Sequence, residues 1–120
     1  MKVVINDCYG GFGLSIPAMK KLLARKNITG VVFKDLFGKS IDVEDDSSCG
    51  YAMYDCNGKY FRFDYERNDT DLVAVVEELG DKANGFASDL KIVDIPDDVE
   101  YTIEEYDGSE WVSEVHRTWR

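Results

Sequence analysis

The chain has 120 residues, of which 44% are hydrophobic and 12% aromatic, enough apolar material for one globular domain, residues 1–120, with an ordinary core. No apolar run is long enough to cross a membrane, and the first, residues 3–5, is too short for a signal peptide. We therefore expect a cytoplasmic protein without membrane contact. The three cysteines show no zinc spacing, which favours free thiols over a disulfide framework or a structural metal.

The net charge of −10 is unevenly distributed along the chain. Residues 1–65 hold nine basic and eight acidic groups, whereas residues 66–120 hold five basic and sixteen acidic groups. Such a field repels phosphate backbones, which excludes nucleic acid as an expected partner. The carboxylates can simply solvate exposed faces, or they can imitate a row of phosphates on a DNA mimic.

The opening segment runs from an apolar strand, residues 3–5, into a turn with three glycines and then into a helix signal. Gly10, Gly11 and Gly13 could present backbone N–H groups to an anion beside the positive end of a helix, with Tyr9 and Phe12 as stacking surfaces. The G-G-x-G spacing matches neither the dinucleotide fingerprint nor the P-loop. A tight turn whose aromatic residues belong to the core is the other interpretation.

A helix is predicted over residues 16–27, because Ser15 can cap it and Pro17 suits its first turn. The apolar stripe of this helix comprises Met19, Leu22 and Leu23, and its basic surface comprises Lys20, Lys21, Arg25 and Lys26. Residues 31–33 then favour a short strand, and residues 41–48 an acidic loop or edge.

The central part of the chain predicts a hairpin. Asn57-Gly58 is typical of a type I′ turn and separates two strands, residues 50–56 and 59–66. Alternation places the aromatic residues of the second strand on one face and Arg62 on the other. The aromatic face comprises Phe61, Phe63 and Tyr65.

The second helix begins at a cap, Asp69 or Thr70, and ends near Gly80. Its apolar residues at helical spacing are Leu72, Val75, Val76 and Leu79. Residues 81–87 could add a further turn, and a strand over residues 90–95 is stopped by Pro96.

Asp107-Gly108 predicts a second hairpin, between residues 101–106 and 110–116, with Ile103 opposite Val112. Together these elements predict an α+β domain that has two main helices and a largely antiparallel sheet.

The end of the chain combines cations with an indole. Arg117 and Trp119 would share one face of a continued strand, and arginine and tryptophan suit phosphate and base contacts. Salt bridges to neighbouring carboxylates are the ordinary alternative. Arg62 and Arg67 are further candidates for the same site.

Catalysis has less support in the sequence. The single histidine, His116, cannot be tied to Cys8 or to any serine, so no nucleophile and base are paired. The acidic run over residues 42–46 lacks the spacing and glycine of a calcium loop. We expect neither a metal nor a cofactor.

The segment from Val3 to Ser15, Val-Val-Ile-Asn-Asp-Cys-Tyr-Gly-Gly-Phe-Gly-Leu-Ser, resembles the start of a group of small phage proteins. Further matching segments are Val75 to Gly80, Leu90 to Val93, Ile95 to Asp98, Glu110-Trp111 and Arg117 to Trp119. The group is similar to the phage anti-Thoeris family, which sequesters the cyclic ADP-ribose isomer made by bacterial TIR-domain defence enzymes. Residues 28–66 contribute nothing to this resemblance.

The resemblance implies a homodimer, able to assemble further, that binds the intact signal in pockets between protomers by aromatic stacking and arginine contacts to pyrophosphate. The residues of this chain that suit such a pocket are Tyr9, Gly10, Gly11, Phe12, Asn84, Phe86, Arg117 and Trp119. Lys21 and Arg25 could form a second, symmetric anion site. Catalytic residues are not implied.

The sequence and the resemblance together predict a phage anti-defence protein of the host bacterial cytosol. It would bind a small cyclic nucleotide and itself, but neither nucleic acid nor membrane. Two alternatives stay open: an acidic DNA-mimic-type inhibitor of a host nucleic-acid-binding protein, and a nucleotide-degrading enzyme.

Overall fold

A computed structural model describes residues 1–34, 51–85 and 87–114. Within these ranges the chain forms two α-helices, one short 3₁₀ helix and seven strands. In chain order they are β1 (Lys2–Asn6), α1 (Ile16–Arg25), β2 (Val32–Lys34), β3 (Ala52–Tyr54), β4 (Tyr60–Phe61), α2 (Thr70–Leu79), the 3₁₀ helix (Gly80–Ala83), β5 (Leu90–Asp94), β6 (Tyr101–Tyr106) and β7 (Ser109–Glu114). The predicted α+β class is confirmed.

All described strand pairs are antiparallel, as predicted, and they form three separate ladders. β1 pairs with β5, with Val4 opposite Ile92. β3 lies between β2 and β4 in the second ladder, and β6 pairs with β7 in the third. Ile103 lies opposite Val112, which confirms the predicted register of the last hairpin.

The core lies between the two helices and the inner side of β1. Ile16, Leu22, Leu72 and Val75 have no exposed surface, and Val4 of β1 joins the same apolar cluster. Leu22, Leu72 and Val75 belong to the predicted apolar stripes of α1 and α2, whereas Ile16 was not among the predicted stripe residues. The burial of these stripes is the main stabilising contribution to the helix pair.

The helix ends follow the predicted signals. The hydroxyl oxygen of Ser15 caps α1 by accepting from the Ala18 amide at 3.2 Å. The α1 helix ends at Arg25, two residues before the predicted end, because Asn27 takes a φ of 59°. Asp69, one of the two predicted caps, accepts from two amides at the start of α2, and Gly80 has the predicted C-terminal position.

The two predicted hairpin turns differ. Asp107 and Gly108 both have positive φ, as a two-residue type I′ turn requires. The Asn57-Gly58 turn was predicted to be of the same type, and this is wrong, because only Gly58 of that pair has positive φ. The carboxylate of Asp55 accepts from the Asn57 and Lys59 amides and so closes a longer loop.

The ladder of the central hairpin is shorter than predicted, since β4 ends at Phe61. The predicted alternation nevertheless continues beyond it: Phe63 and Tyr65 are half-buried, whereas Arg62 and Asp64 are exposed. Residues 41–48, predicted as an acidic loop, lie outside the described residues, as does the continuation of β7 to residue 116. None of the helices within the described ranges has the length and apolar character needed to span a membrane.

Candidate ligand-binding site

The glycine turn, residues 7–15 between β1 and α1, lies in close contact with two other backbone segments, residues 85–87 and the β6–β7 turn. A Cβ at Gly10 would overlap the carbonyl oxygen of Ala87. A Cβ at Gly108, in the β6–β7 turn, would lie 2.5 Å from the Gly11 nitrogen, and one at Gly85 would lie 2.8 Å from the Gly13 carbonyl carbon. Glycine is therefore required at these positions for close approach of backbone to backbone.

The buried side chain of Asn6 stabilises these backbone contacts, which we call the junction: the glycine turn, residues 85–87 and the β6–β7 turn. The Asn6 side chain is fully buried, and its amide group donates to the carbonyl oxygens of Cys8 at 2.6 Å and Gly108 at 2.8 Å. Its side-chain oxygen accepts from the Asp89 amide at 2.8 Å. One buried amide thus holds the glycine turn, the β6–β7 turn and the start of β5 in a fixed arrangement.

Phe12 forms a stack with Arg67 beside the junction. The guanidinium carbon of Arg67 lies 3.5 Å from the centre of the Phe12 ring, and Tyr65 is the next ring, at 6.3 Å. Arg67 also donates to both carboxylate oxygens of Glu110, at 2.7 and 2.9 Å. The side chains of Arg67 and Glu110 are only 24% and 9% exposed, so this is a partly buried, bidentate ion pair.

The structure therefore brings Arg67, a further candidate, next to Phe12, one of the predicted site residues. Its donor fork is engaged by Glu110, however, which leaves little capacity for a ligand phosphate. Arg62 lies elsewhere: its side chain is 78% exposed and pairs with Asp64 at 3.3 Å. Burial raises the pKa of Tyr65 to about 12, against the lowering effect of Arg67, so that phenol is neutral at physiological pH.

The N-terminal end of α1 packs against the 3₁₀ helix. The Ser15 amide donates to the Ala83 carbonyl at 2.9 Å, and the Ser15 hydroxyl donates to the Lys82 carbonyl at 2.6 Å. Ile16 and Ala18 have no exposed surface. The 3₁₀ helix thus covers this end of α1 and engages the amide and the hydroxyl of Ser15.

Tyr9 is the more exposed of the two predicted aromatic site residues that the structure describes, Tyr9 and Phe12. Its side chain is 70% exposed, although its backbone lies against Gly108 in the junction. A rigid backbone that carries a solvent-facing ring is a preorganised stacking surface. Asn84 lies near the other side of the turn, where its side-chain oxygen accepts from the Leu90 amide at 2.8 Å and its backbone bridges to Leu14.

Three predicted site residues, Phe86, Arg117 and Trp119, lie outside the described residues. The described strand nearest to Arg117 and Trp119 in sequence is β7. β7 begins beside the glycine turn at Ser109 and runs away from it to Glu114, a span of about 17 Å at the rise of an extended strand.

The proposed second anion site is occupied by neighbouring carboxylates. Lys21 donates to Glu78 at 2.8 Å, and Arg25 donates to Asp71 at 3.0 Å. Both cations stay about half exposed, with 45% and 48% of their side chains accessible. An anion at this surface would have to compete with the acidic residues of α2.

The carboxylates of the last hairpin are not arranged as a single row. Glu104 lies opposite Trp111, whereas Glu105 lies opposite Glu110, so the two side chains leave opposite faces of the hairpin. Asp97 pairs with the amino group of Met1. This arrangement does not favour a phosphate ladder built from these groups.

An apolar cavity of about 240 Å³ lies on the other side of α1. Its lining includes Leu23, Ile28, Val31 and Phe33, and the Lys20 amine stands 5.5 Å from the centre of the Phe33 ring. Cys8 and Cys56 are free thiols, as predicted, while Cys49 lies outside the described ranges. Nowhere in the described parts of the chain do three metal-binding side chains come together.

Sequence reasoning missed Glu110 and the role of Asn6. A polar residue at the end of an apolar strand could have signalled Asn6, since a buried amide needs partners. No local signal marks Glu110, which meets Arg67 across 43 residues of sequence.

Comparison with known proteins adds no assignment: the chain matches no protein-family model, no curated protein and no solved structure.

Proposed function

We propose that the protein binds and sequesters a small cyclic nucleotide, an isomer of cyclic ADP-ribose, without degrading it. It would act in the cytosol of a host bacterium and remove the signal of an antiphage defence. The proposal extends the resemblance to the anti-Thoeris family, and the observation that supports it best is the Tyr9 ring, 70% exposed on a fastened turn.

The chemistry of stacking explains why that observation matters. A base gains about 1–3 kcal/mol from stacking on an aromatic ring, and less of this is lost to ordering when the ring's backbone is already fixed. Asn6 and the close glycine contacts fix the backbone of the Tyr9 turn. We assign Tyr9 to the base, and Phe12, held by Arg67, to the support of the Tyr9 turn.

The phosphate contact is assigned to Arg117, with Trp119 as a second stacking ring. The resemblance to the anti-Thoeris family implies that such a pocket forms between two protomers. In that homodimer the glycine turn of one copy would face the chain end of the other.

The first test separates sequestration from degradation. The protein is incubated with the cyclic ADP-ribose isomer and filtered, then denatured, and the released material is identified by mass spectrometry. We expect intact ligand at up to one equivalent per protomer. A converted product would instead establish an enzyme, and absence of retention at micromolar protein would refute the proposal.

The second test addresses the site. Tyr9→Ala should weaken ligand binding about tenfold or more through lost stacking, measured by calorimetry. Tyr60→Ala is the matched control, because Tyr60 is 69% exposed but belongs to β4. Equal affinity of both variants would move the site away from the glycine turn.

The homodimer requires its own measurement. Light scattering after gel filtration should give twice the chain mass of 13.6 kDa, or a multiple of it. A monomer that still binds ligand would contradict the pocket between protomers.

A further inference from the structure

The β6–β7 hairpin has two unlike faces. On the inner face Ile103 and Val112 are half-buried and Glu110 pairs with Arg67. The register places six residues on the other side, here named the outer face: Thr102, Glu104, Tyr106, Ser109, Trp111 and Ser113. Two aromatic side chains of the outer face are strongly exposed, Tyr106 at 72% and Trp111 at 46%.

The outer face places a carboxylate beside an indole. Glu104 and Trp111 are direct cross-strand partners, a position in which Cβ atoms stand about 4.5–5.5 Å apart. Tyr106 is the diagonal neighbour of Trp111, within reach of a long side chain. A guanidinium can stack on an indole while it donates hydrogen bonds to a carboxylate. The pair of Glu104 and Trp111 therefore suits an arginine side chain.

The negative charge around the outer face favours the binding of a cationic group. Residues 92–114 contain nine carboxylates and no lysine, arginine or histidine. The described ion pairs of this stretch use only three of them: Glu110 with Arg67, and Asp94 and Asp97 with the amino group of Met1. Glu104 has no described ion pair and stands on the exposed face.

We propose that the outer face is a docking surface for an arginine-bearing segment of another protein, with an arginine seated between Glu104 and Trp111. The partner is a different protein, because two copies of this face packed about a twofold axis would bring like charges together. This inference is independent of nucleotide binding, since it rests on none of the residues that we assign to the ligand.

The probe is a ten-residue peptide of alternating arginine and serine, with citrulline and lysine versions as controls. Binding is followed at 0.15 M salt by NMR of the two tryptophan indole N–H signals, and Trp111→Phe assigns the signal of Trp111. We expect a saturable shift of the Trp111 signal with the arginine peptide, a weaker response to lysine and none to citrulline.

Adjacent residues supply a charge-matched pair of variants. Glu104→Gln and Glu105→Gln remove the same charge, but Glu105 lies on the inner face and accepts from the Gly108 amide at 2.9 Å, which glutamine can still do. Glu104→Gln should weaken binding about threefold and Trp111→Ala about fivefold, whereas Glu105→Gln should change it less than 1.5-fold.

Three results would overturn the proposal. Equal weakening by Glu104→Gln and Glu105→Gln would show that the peptide responds only to net charge. Lack of a shift of the Trp111 signal at millimolar peptide would show that arginine does not bind between Glu104 and Trp111. A Trp111 signal that shifts with protein concentration, without peptide, would assign the outer face to contact between copies of this chain.

Discussion

The helix pair and the last hairpin are held in place by different kinds of interaction. Between α1 and α2 the contacts are made by buried apolar side chains, and the ion pairs lie only at the exposed edge of this interface. The hairpin is attached through a few polar contacts: Glu110 to Arg67, and Asn6 to the Gly108 carbonyl. Stability should therefore be spread over many residues in the helix pair and concentrated in very few at the hairpin.

The largest effect is expected in the helix pair. Leu22→Ala should lower the free energy of unfolding by about 3 kcal/mol, because it removes buried methyl groups and leaves a cavity. Val112→Ala, in the half-buried face of the hairpin, should cost about 1 kcal/mol. Urea denaturation measures both, and an equal cost would remove the contrast between the two regions.

Loss of one charge should loosen the hairpin selectively. Glu110→Gln leaves the Arg67 cation partly buried without its counter-ion, which should cost about 2 kcal/mol. Hydrogen exchange should accelerate in β6 and β7, while amides of α1 and α2 keep their protection. Glu105→Gln is the control on the same hairpin, and uniform acceleration throughout the protein would show that the hairpin does not open separately.

Two glycines of the glycine turn should respond differently to substitution, because a Cβ atom would meet backbone at only one of them. Gly10→Ala should cost about 1–3 kcal/mol, since its Cβ would overlap the carbonyl group of Ala87, which is backbone and cannot rotate away as a long side chain can. Gly13→Ala is the matched control, because its Cβ would meet no atom within 4 Å and should change stability by less than about 0.5 kcal/mol. Similar losses from both variants, measured by thermal unfolding, would contradict the close approach at Gly10.

The ion pairs at the exposed edge of the helix pair should make the smallest contribution to the free energy of unfolding. Hydrogen bonds from Lys26 and Arg25 lower the pKa of Asp71, so this carboxylate stabilises the fold above its ordinary pKa. That contribution is lost as the pH falls through the lowered value. Lys26→Met should slightly reduce the loss of unfolding free energy that occurs as the pH is lowered. Lys59→Met, in the β3–β4 turn, should not change it. Identical acid profiles for the wild type and Lys26→Met would refute this contribution.

Local chemistry explains which features the sequence could predict. Ser15, Asp69 and Gly80 act on their own helix ends, and Asp107-Gly108 needs only its own backbone to form a tight turn. Asn57-Gly58 carries the same kind of signal, but the neighbouring carboxylate of Asp55 imposes a different loop. Dipeptide preference is therefore reliable only where nearby side chains do not compete for the same amides.

The candidate site depended on contacts that sequence pattern does not specify. The sequence shows the glycines of the turn, but it does not show that Gly10 lies against Ala87 or that Gly108 lies against Gly11. Likewise, no spacing rule links Phe12 to Arg67, which are 55 residues apart in the chain. Such long-range pairs depend on how whole elements pack.

The strand β1 is far in sequence from the residues with which it pairs. This strand is made long before its partners: Val4 waits for Ile92, and Asn6 for Glu110. Until then the Val-Val-Ile run has no native neighbour on its β5 side, and pairings distant in sequence form slowly. β1 therefore stays without its native partners until residues 90–110 have been made, and uncovered apolar segments of this kind make partly folded chains prone to aggregate.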